Sequence, residues 1–123
     1  MTDAKPVVAI VDDDVSVRRA LRRLVLSFAY QPADFPSGEA FLESLDTAVP
    51  SCALLDLHMP GLDGLQVLGQ MRLRKLNVPT IIITGNAQPN MRALCMEAGA
   101  AAYLQKPLDP DIVLASIQSA TMT

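Results

Sequence analysis

Short apolar runs alternate along this chain with segments of helical period. Val7–Val11, a run at 52 to 56 or 57, Thr80–Thr84 and a run at 101–105 each read as a strand. Thr80, Ile81, Ile82 and Ile83 in succession suit a strand buried on both faces. A weaker run around 32–35 carries Pro32 and is followed by Pro36, which suits an edge strand. Between the runs, Val17, Leu21, Leu24, Val25 and Phe28 recur at helical spacing. They predict a first helix from about Ser16, whose hydroxyl is placed to cap it. Ser37 caps a second helix to about Leu45, with Ala40, Phe41 and Leu45 as its apolar set. Asp63 caps a third helix from 65 to about 76, with Val67, Leu68, Met71 and Leu76 facing inward. A fourth helix, 91–98, stops at Gly99, a natural left-handed cap. A fifth opens at Asp109 or Pro110 and runs towards Ser119, with Leu108, Ile112, Val113 and Ile117 apolar.

Strand and helix thus alternate from end to end, the pattern of an α/β fold whose parallel sheet is covered on both faces. No repeat or low-complexity tract interrupts it, so the expectation is one domain over residues 1–123, with a core from about 6 to 120. A chain of 123 residues, half of them hydrophobic, is large enough for a proper core and too apolar for disorder. No apolar stretch approaches membrane-spanning length, and the first six residues lack the features of a signal peptide. The expected location is therefore cytoplasmic.

A net charge of −3 argues against a nucleic-acid binder, which would carry a basic patch. Arg18, Arg19, Arg22 and Arg23 do cluster, but on one short helix, and read as a solvated face, with partner docking as the sharper alternative. Cys52 and Cys95 have neither disulfide-framework density nor zinc spacing and read as reduced apolar fillers. His58 is the only histidine, which leaves little material for a zinc site or a Ser-His-Asp triad.

The strands end on chemically loaded residues: Asp12-Asp13-Asp14, Asp56, Thr84 and Lys106-Pro107. In an open α/β sheet, ligands sit at the carboxyl ends of the strands. Acids to hold a divalent cation, with a hydroxyl and an amine to hold an oxyanion, make a phosphoryl site. A carboxylate nucleophile can form an acyl phosphate, and a cation offsets the repulsion among acids and incoming anion. Magnesium suits hard oxygen ligands and needs only one or two carboxylates. Asp56, alone at the end of a central strand beside the turn-rich 58–64, is the candidate nucleophile. Asp12 and Asp13 are the metal candidates, Thr84 a hydrogen-bond donor and Lys106 a point charge for the phosphoryl oxygens. Singly, each has a plain structural reading: Asp12-Asp13-Asp14 as polar loop and helix cap, Asp14 above all, Thr84 as a strand end, Lys106 as solvated, Tyr103 as core. The joint placement of Asp12, Asp13, Thr84 and Lys106 favours function, whereas Tyr103 by itself reads as core.

Four pieces together, Val11-Asp12-Asp13-Asp14, the stretch from Leu55-Asp56-Leu57-His58-Met59-Pro60-Gly61 to Asp63-Gly64, Ile83-Thr84-Gly85 and Lys106-Pro107, resemble the receiver domain of a two-component response regulator. The Asp-Leu-His-Met-Pro-Gly stretch and the Thr-Gly pair are most similar to its FixJ-like subgroup. The resemblance runs from about Val7 to the end. It implies a doubly wound, flavodoxin-like (CheY-like) fold of five parallel strands in order 2-1-3-4-5.

It further implies that Asp56 is the phosphoacceptor and that Asp13 binds Mg2+ directly, Asp12 mainly through water. The backbone carbonyl of His58 would be the third protein ligand, and Mn2+ could substitute. Thr84 and Lys106 would contact the phosphoryl group, and Tyr103 would be a switch aromatic that turns inward as Thr84 is drawn to the phosphate. The Lys106–Pro107 bond, able to be cis at low cost, is the more expected to be so. A histidine kinase would supply the phosphoryl group. The chain would catalyse only its own phosphorylation and slow autodephosphorylation. The fourth helix, fifth strand and fifth helix would then shift between two conformations to control an output domain, a partner protein or a homodimer. No direct nucleic-acid or membrane contact is implied.

Further expectations attach to single positions. Val15, Arg18, Arg19 and Arg22 offer a kinase-docking surface. His58 and Asn86 would tune the lifetime of the phosphorylated state. Gly85 leaves room beside Thr84, and Met91 and Met96 read as packing. Two competing readings stand beside the receiver. One is a haloacid-dehalogenase-like phosphatase with Asp12 as nucleophile and Asp14 as acid/base, for which Asp109 and Asp111 poorly match the late metal-binding pair. The other is a pseudo-receiver that ignores phosphate.

Overall fold

Two strands, Cys52–Asp56 and Thr80–Thr84, have every residue buried, which places them at the centre of a sheet with helices on both faces. The computed structural model describes residues 5–86 and 88–122. In chain order the strands are β1 (Val7–Val11), β2 (Gln31–Phe35), β3 (Cys52–Asp56), β4 (Thr80–Thr84) and β5 (Ala102–Gln105). They form one parallel sheet in the order β2-β1-β3-β4-β5. The helices are α1 (Val15–Ser27), α2 (Gly38–Ser44), α3 (Gly64–Leu73), α4 (Met91–Glu97) and α5 (Pro110–Thr121). This is the expected doubly wound fold.

The period of two along each strand divides the apolar residues between two cores. Ala9, Val11, Ala53, Leu55 and Ile82 pack with Phe41, Val67, Leu68, Met71 and Cys95 on the side of α2, α3 and α4. Val8, Ile10, Cys52, Leu54, Ile81 and Ile83 pack with Leu21, Val25, Val113 and Ile117 on the side of α1 and α5. Both cysteines are free and buried, and burial pushes the Cys52 thiol up to about 12, so it remains an inert apolar filler.

Several local expectations are corrected. The cap of α1 is Asp14, as its plain reading had it, and not Ser16: the Asp14 carboxylate accepts the backbone N–H groups of Ser16 and Val17. A carboxylate one step before the helix reaches these amides, whereas Ser16 is already inside it. Helix α3 stops at Leu73, because Lys75 adopts a left-handed φ of 57°. Leu76 still packs against the core from beyond the helix end. Leu42, absent from the expected apolar set of α2, is buried, while Ile112 and Met96 are largely exposed. Met96 is therefore not core packing. Asp63 and Ser37 cap α3 and α2 as expected, Asp63 within a full capping box with Gln66. The expectation about the first residues, and Ala87 of the polar loop after β4, lie outside the described residues.

Candidate functional site

The strand register builds the acidic site. Val8 pairs with Cys52 and Val11 with Leu55. One step further, the same offset sets Asp12 beside Asp56 on adjacent strands, with side chains on the same face. Asp13 follows as the chain turns towards α1. Carboxylate oxygens of Asp12, Asp13 and Asp56 lie within 4.8 Å of one another. Asp12 and Asp56 are buried and Asp13 is exposed.

Asp12 is tightly held. Its N–H continues the sheet by donating to the Phe35 carbonyl at 3.2 Å. Its Oδ1 accepts the Asp14 N–H at 2.9 Å, and its Oδ2 lies 3.6 Å from Lys106 Nζ. Burial raises the acid of Asp56 to about 6; Asp12 and Asp13 add to the rise, and Lys106 and the His58 backbone N–H oppose it. Three carboxylates against one amine leave the pocket net negative. That donor set, all hard oxygen and partly open to solvent at Asp13, fits a magnesium-type cation.

β4 and β5 deliver the other two groups. The Lys106 N–H donates to the Thr84 carbonyl at 2.8 Å, tying the two strand ends together. The Lys106–Pro107 bond is cis. Thr84 is buried, and its Oγ1 donates to the Asn86 carbonyl and accepts the Asn86 N–H, each at 3.1 Å. A Cβ at Gly85 would meet only Lys106 Cδ, at 3.6 Å, so the expected room beside Thr84 is there. The Tyr103 hydroxyl is shielded from solvent and makes no hydrogen bond among the described residues. Burial raises this phenol, and Thr84 and Arg92 act against the rise without a well-formed bond to the hydroxyl. Arg92 lies 5.9 Å from the Tyr103 ring centroid and donates to the Tyr103 carbonyl at 3.4 Å.

A profile of the response regulator receiver domain matches residues 8–118. The chain belongs to the receiver domain family. It is a receiver domain of the two-component response regulator type. Nodulation protein W of Bradyrhizobium diazoefficiens is 34% identical over 117 residues, covering 95% of this chain and 52% of that protein. The transcriptional regulatory protein FixJ of the same organism is 33% identical over 111 residues, covering 90% of this chain and 54% of that protein. The crystal structure of FixJ-N superimposes with a TM-score of 0.88 at 30% identity, covering 98% of this chain and 95% of that one. The receiver thus spans about half the length of these two curated relatives. No helix among the described residues is long and apolar enough to cross a membrane.

The phosphatase reading loses its family, and of its residues Asp12 alone lies in the acidic cluster among the described residues. The Asp14 carboxylate is engaged as the α1 cap, Asp109 caps α5, and Asp111 lies in the first turn of that helix. One residue of this receiver's site went unread in the sequence. Arg18 belongs to the arginine cluster assigned to a solvated face, yet its side chain is only 15% exposed. Its Nη1 donates to the Asp12 carbonyl at 2.7 Å. A signal was present: Arg18 stands three residues before Leu21 and seven before Val25, on the buried stripe itself.

Proposed function

We propose that this receiver domain, over residues 1–123 with its core from about 6 to 120, accepts a phosphoryl group on Asp56 and controls an output domain or partner protein. The observation that carries the reading is the convergence of the Asp12, Asp13 and Asp56 carboxylates within 4.8 Å, with Lys106 on Asp12. Asp13, exposed and uncommitted, is the direct magnesium ligand. Asp12, held by the Asp14 N–H and Lys106, acts mainly through water. The Asp56 carboxylate and the His58 backbone carbonyl complete the protein's share. A bound Mg2+, or Mn2+ in its place, supplies charge neutralisation for the approaching anion.

The donor is the phosphohistidine of a sensor histidine kinase. An Asp56 oxygen attacks phosphorus, the phosphorus–nitrogen bond breaks, and its electron pair leaves with the imidazole. Lys106 and Thr84 stabilise the phosphoryl oxygens, and both must change partner to do so: Lys106 from Asp12, Thr84 from Asn86. Tyr103, whose hydroxyl feels Thr84, registers that exchange at the surface of α4, β5 and α5. There a groove of about 350 Å³ is lined by Arg92, Tyr103, Pro107, Leu108 and Ile112 among others. Such a groove and the exposed Ile112 suit an output partner or a phosphorylation-dependent homodimer. Slow hydrolysis at Asp56 resets the switch. The domain acts in the cytoplasm, without direct nucleic-acid or membrane contact.

The test is to treat the protein with acetyl phosphate and Mg2+, reduce the acyl phosphate with borohydride, and locate the modified residue by mass spectrometry. Label at Asp56 is the expected result. Label at Asp12 overturns the assignment, and no label, with no Mg2+ binding, restores the pseudo-receiver.

A further inference from the structure

The carbonyl of Asp12 belongs to the peptide that joins Asp12 to Asp13. Because that unit is planar, fixing its oxygen also fixes the N–H of Asp13, and so limits where the Asp13 side chain departs. Arg18, one turn into α1, donates to this oxygen at 2.7 Å through Nη1. Its Nε lies 3.6 Å from Asp34 Oδ2 near the end of β2, and Asp34 is also held by Arg22 Nη1 at 3.1 Å. The planar guanidinium thus spans from β2 to the turn that carries the acidic pair, which a single ammonium cannot do.

We propose that Arg18 is a positioning residue: by clamping the Asp12–Asp13 peptide against Asp34, it aims the Asp13 carboxylate at the cation position. This rests on the magnesium-dependent reading of the site. It also removes Arg18 from any free docking surface on α1, because its guanidinium is committed inside the domain.

The experiment measures Mg2+ affinity by calorimetric titration of the full chain, with no phosphodonor present. Arg18→Ala is expected to weaken binding about tenfold or more, the usual size of an effect from a residue that orients a ligand. Arg18→Lys is expected to weaken it several-fold, and it decides the matter if the alanine variant does not fold. Arg19→Ala removes the same charge from the neighbouring exposed position and is expected to bind like wild type. A purely structural role would weaken binding equally in any background. In an Asp13→Asn background the added loss from Arg18→Ala is instead expected to shrink to about twofold or less. Folded Arg18 variants that bind Mg2+ within twofold of wild type overturn the proposal, as does an undiminished loss in the Asp13→Asn background. Wild-type protein that binds no Mg2+ overturns the underlying reading and the proposal together.

Discussion

Lys106 Nζ stands 3.6 Å from Asp12 Oδ2, so the amine proposed to meet the phosphoryl group already rests on a buried carboxylate. From there it lowers the acid of Asp56 against the opposing effects of burial, Asp12 and Asp13. Lys106→Ala is expected to lift Asp56 above its value of about 6, leaving less nucleophilic carboxylate near neutrality. Phosphorylation by acetyl phosphate should then slow more in mildly acid than in mildly alkaline buffer. Carboxyl NMR titration checks the shift, and an unmoved midpoint would refute it.

The same raised acid makes Asp56 a liability in the metal-free fold. Its folded value of about 6 exceeds the ordinary 3.8, so the native state binds this proton more tightly than the unfolded chain. The stabilisation is complete below 3.8 and is lost as pH rises through about 6. Integrated over that window, the loss is up to about 3 kcal/mol. Asp56→Asn does not titrate and should lack this term. In chelator at mildly alkaline pH the variant is expected to be about 2 kcal/mol more stable than wild type. Saturating Mg2+ should narrow the gap by stabilising wild type. Urea unfolding across the pH range decides, and equal stabilities in metal-free alkaline buffer would contradict the charge crowding.

Tyr103 carries a second avoidable cost. A buried hydroxyl without a partner costs about 1–3 kcal/mol, and the Tyr103 hydroxyl is in that position among the described residues. Tyr103→Phe keeps the ring against the core and under Arg92 while removing the orphan. The resting protein is expected to gain about 1 kcal/mol. A lower thermal midpoint for the variant would mean that the hydroxyl is satisfied after all.

The legible parts of the molecule are those where chemistry and period coincide. Asp56 and Thr84 end strands so apolar that their positions in the sheet follow from the runs before them. Asp63 and Ser37 cap helices whose first apolar residues follow directly. Arg18 was misread because a charged side chain on the inner stripe is ordinarily discounted. Only the folded chain shows a carbonyl waiting for it six residues upstream. The partner of Thr84 was illegible for another reason, since a hydroxyl's choice between neighbouring groups leaves no periodic trace. Ile112 was grouped with the apolar set of the fifth helix, and no spacing shows that α5 leaves it uncovered.

Two glycines of α3 should answer oppositely to alanine. A Cβ at Gly64 would sit 2.9 Å from both the Asp56 carbonyl oxygen and Leu57 Cα. These are backbone atoms that cannot swing aside, and they carry the proposed acceptor. Gly64→Ala is expected to cost about 1–3 kcal/mol and to slow phosphorylation by displacing Asp56. A Cβ at Gly69 meets nothing within 4 Å. Gly69→Ala should therefore stabilise the protein by about 0.5–1 kcal/mol through helix propensity alone, with phosphorylation unchanged. Parallel denaturation and phosphorylation assays separate the two, and matching responses would remove the steric argument.

If Asp56 carries the phosphoryl group as proposed, the lifetime of that state is expected to depend on how water reaches it. His58 is exposed two residues after the proposed acceptor, and Asn86 is exposed beside Thr84. Thr84 holds only the backbone of Asn86, so trimming the Asn86 side chain leaves that contact in place. Exposed on the two loops that flank Asp56, both side chains are expected to obstruct in-line attack by water. His58→Ala and Asn86→Ala are each expected to shorten the lifetime about threefold, a barrier change of roughly 0.7 kcal/mol. Because the two flank the site from different loops, their effects should multiply in the double variant. Following the decay of phosphoprotein after removing the donor measures this directly. Lifetimes equal to wild type in both single variants would show that access is governed by the backbone of the two loops and not by these side chains.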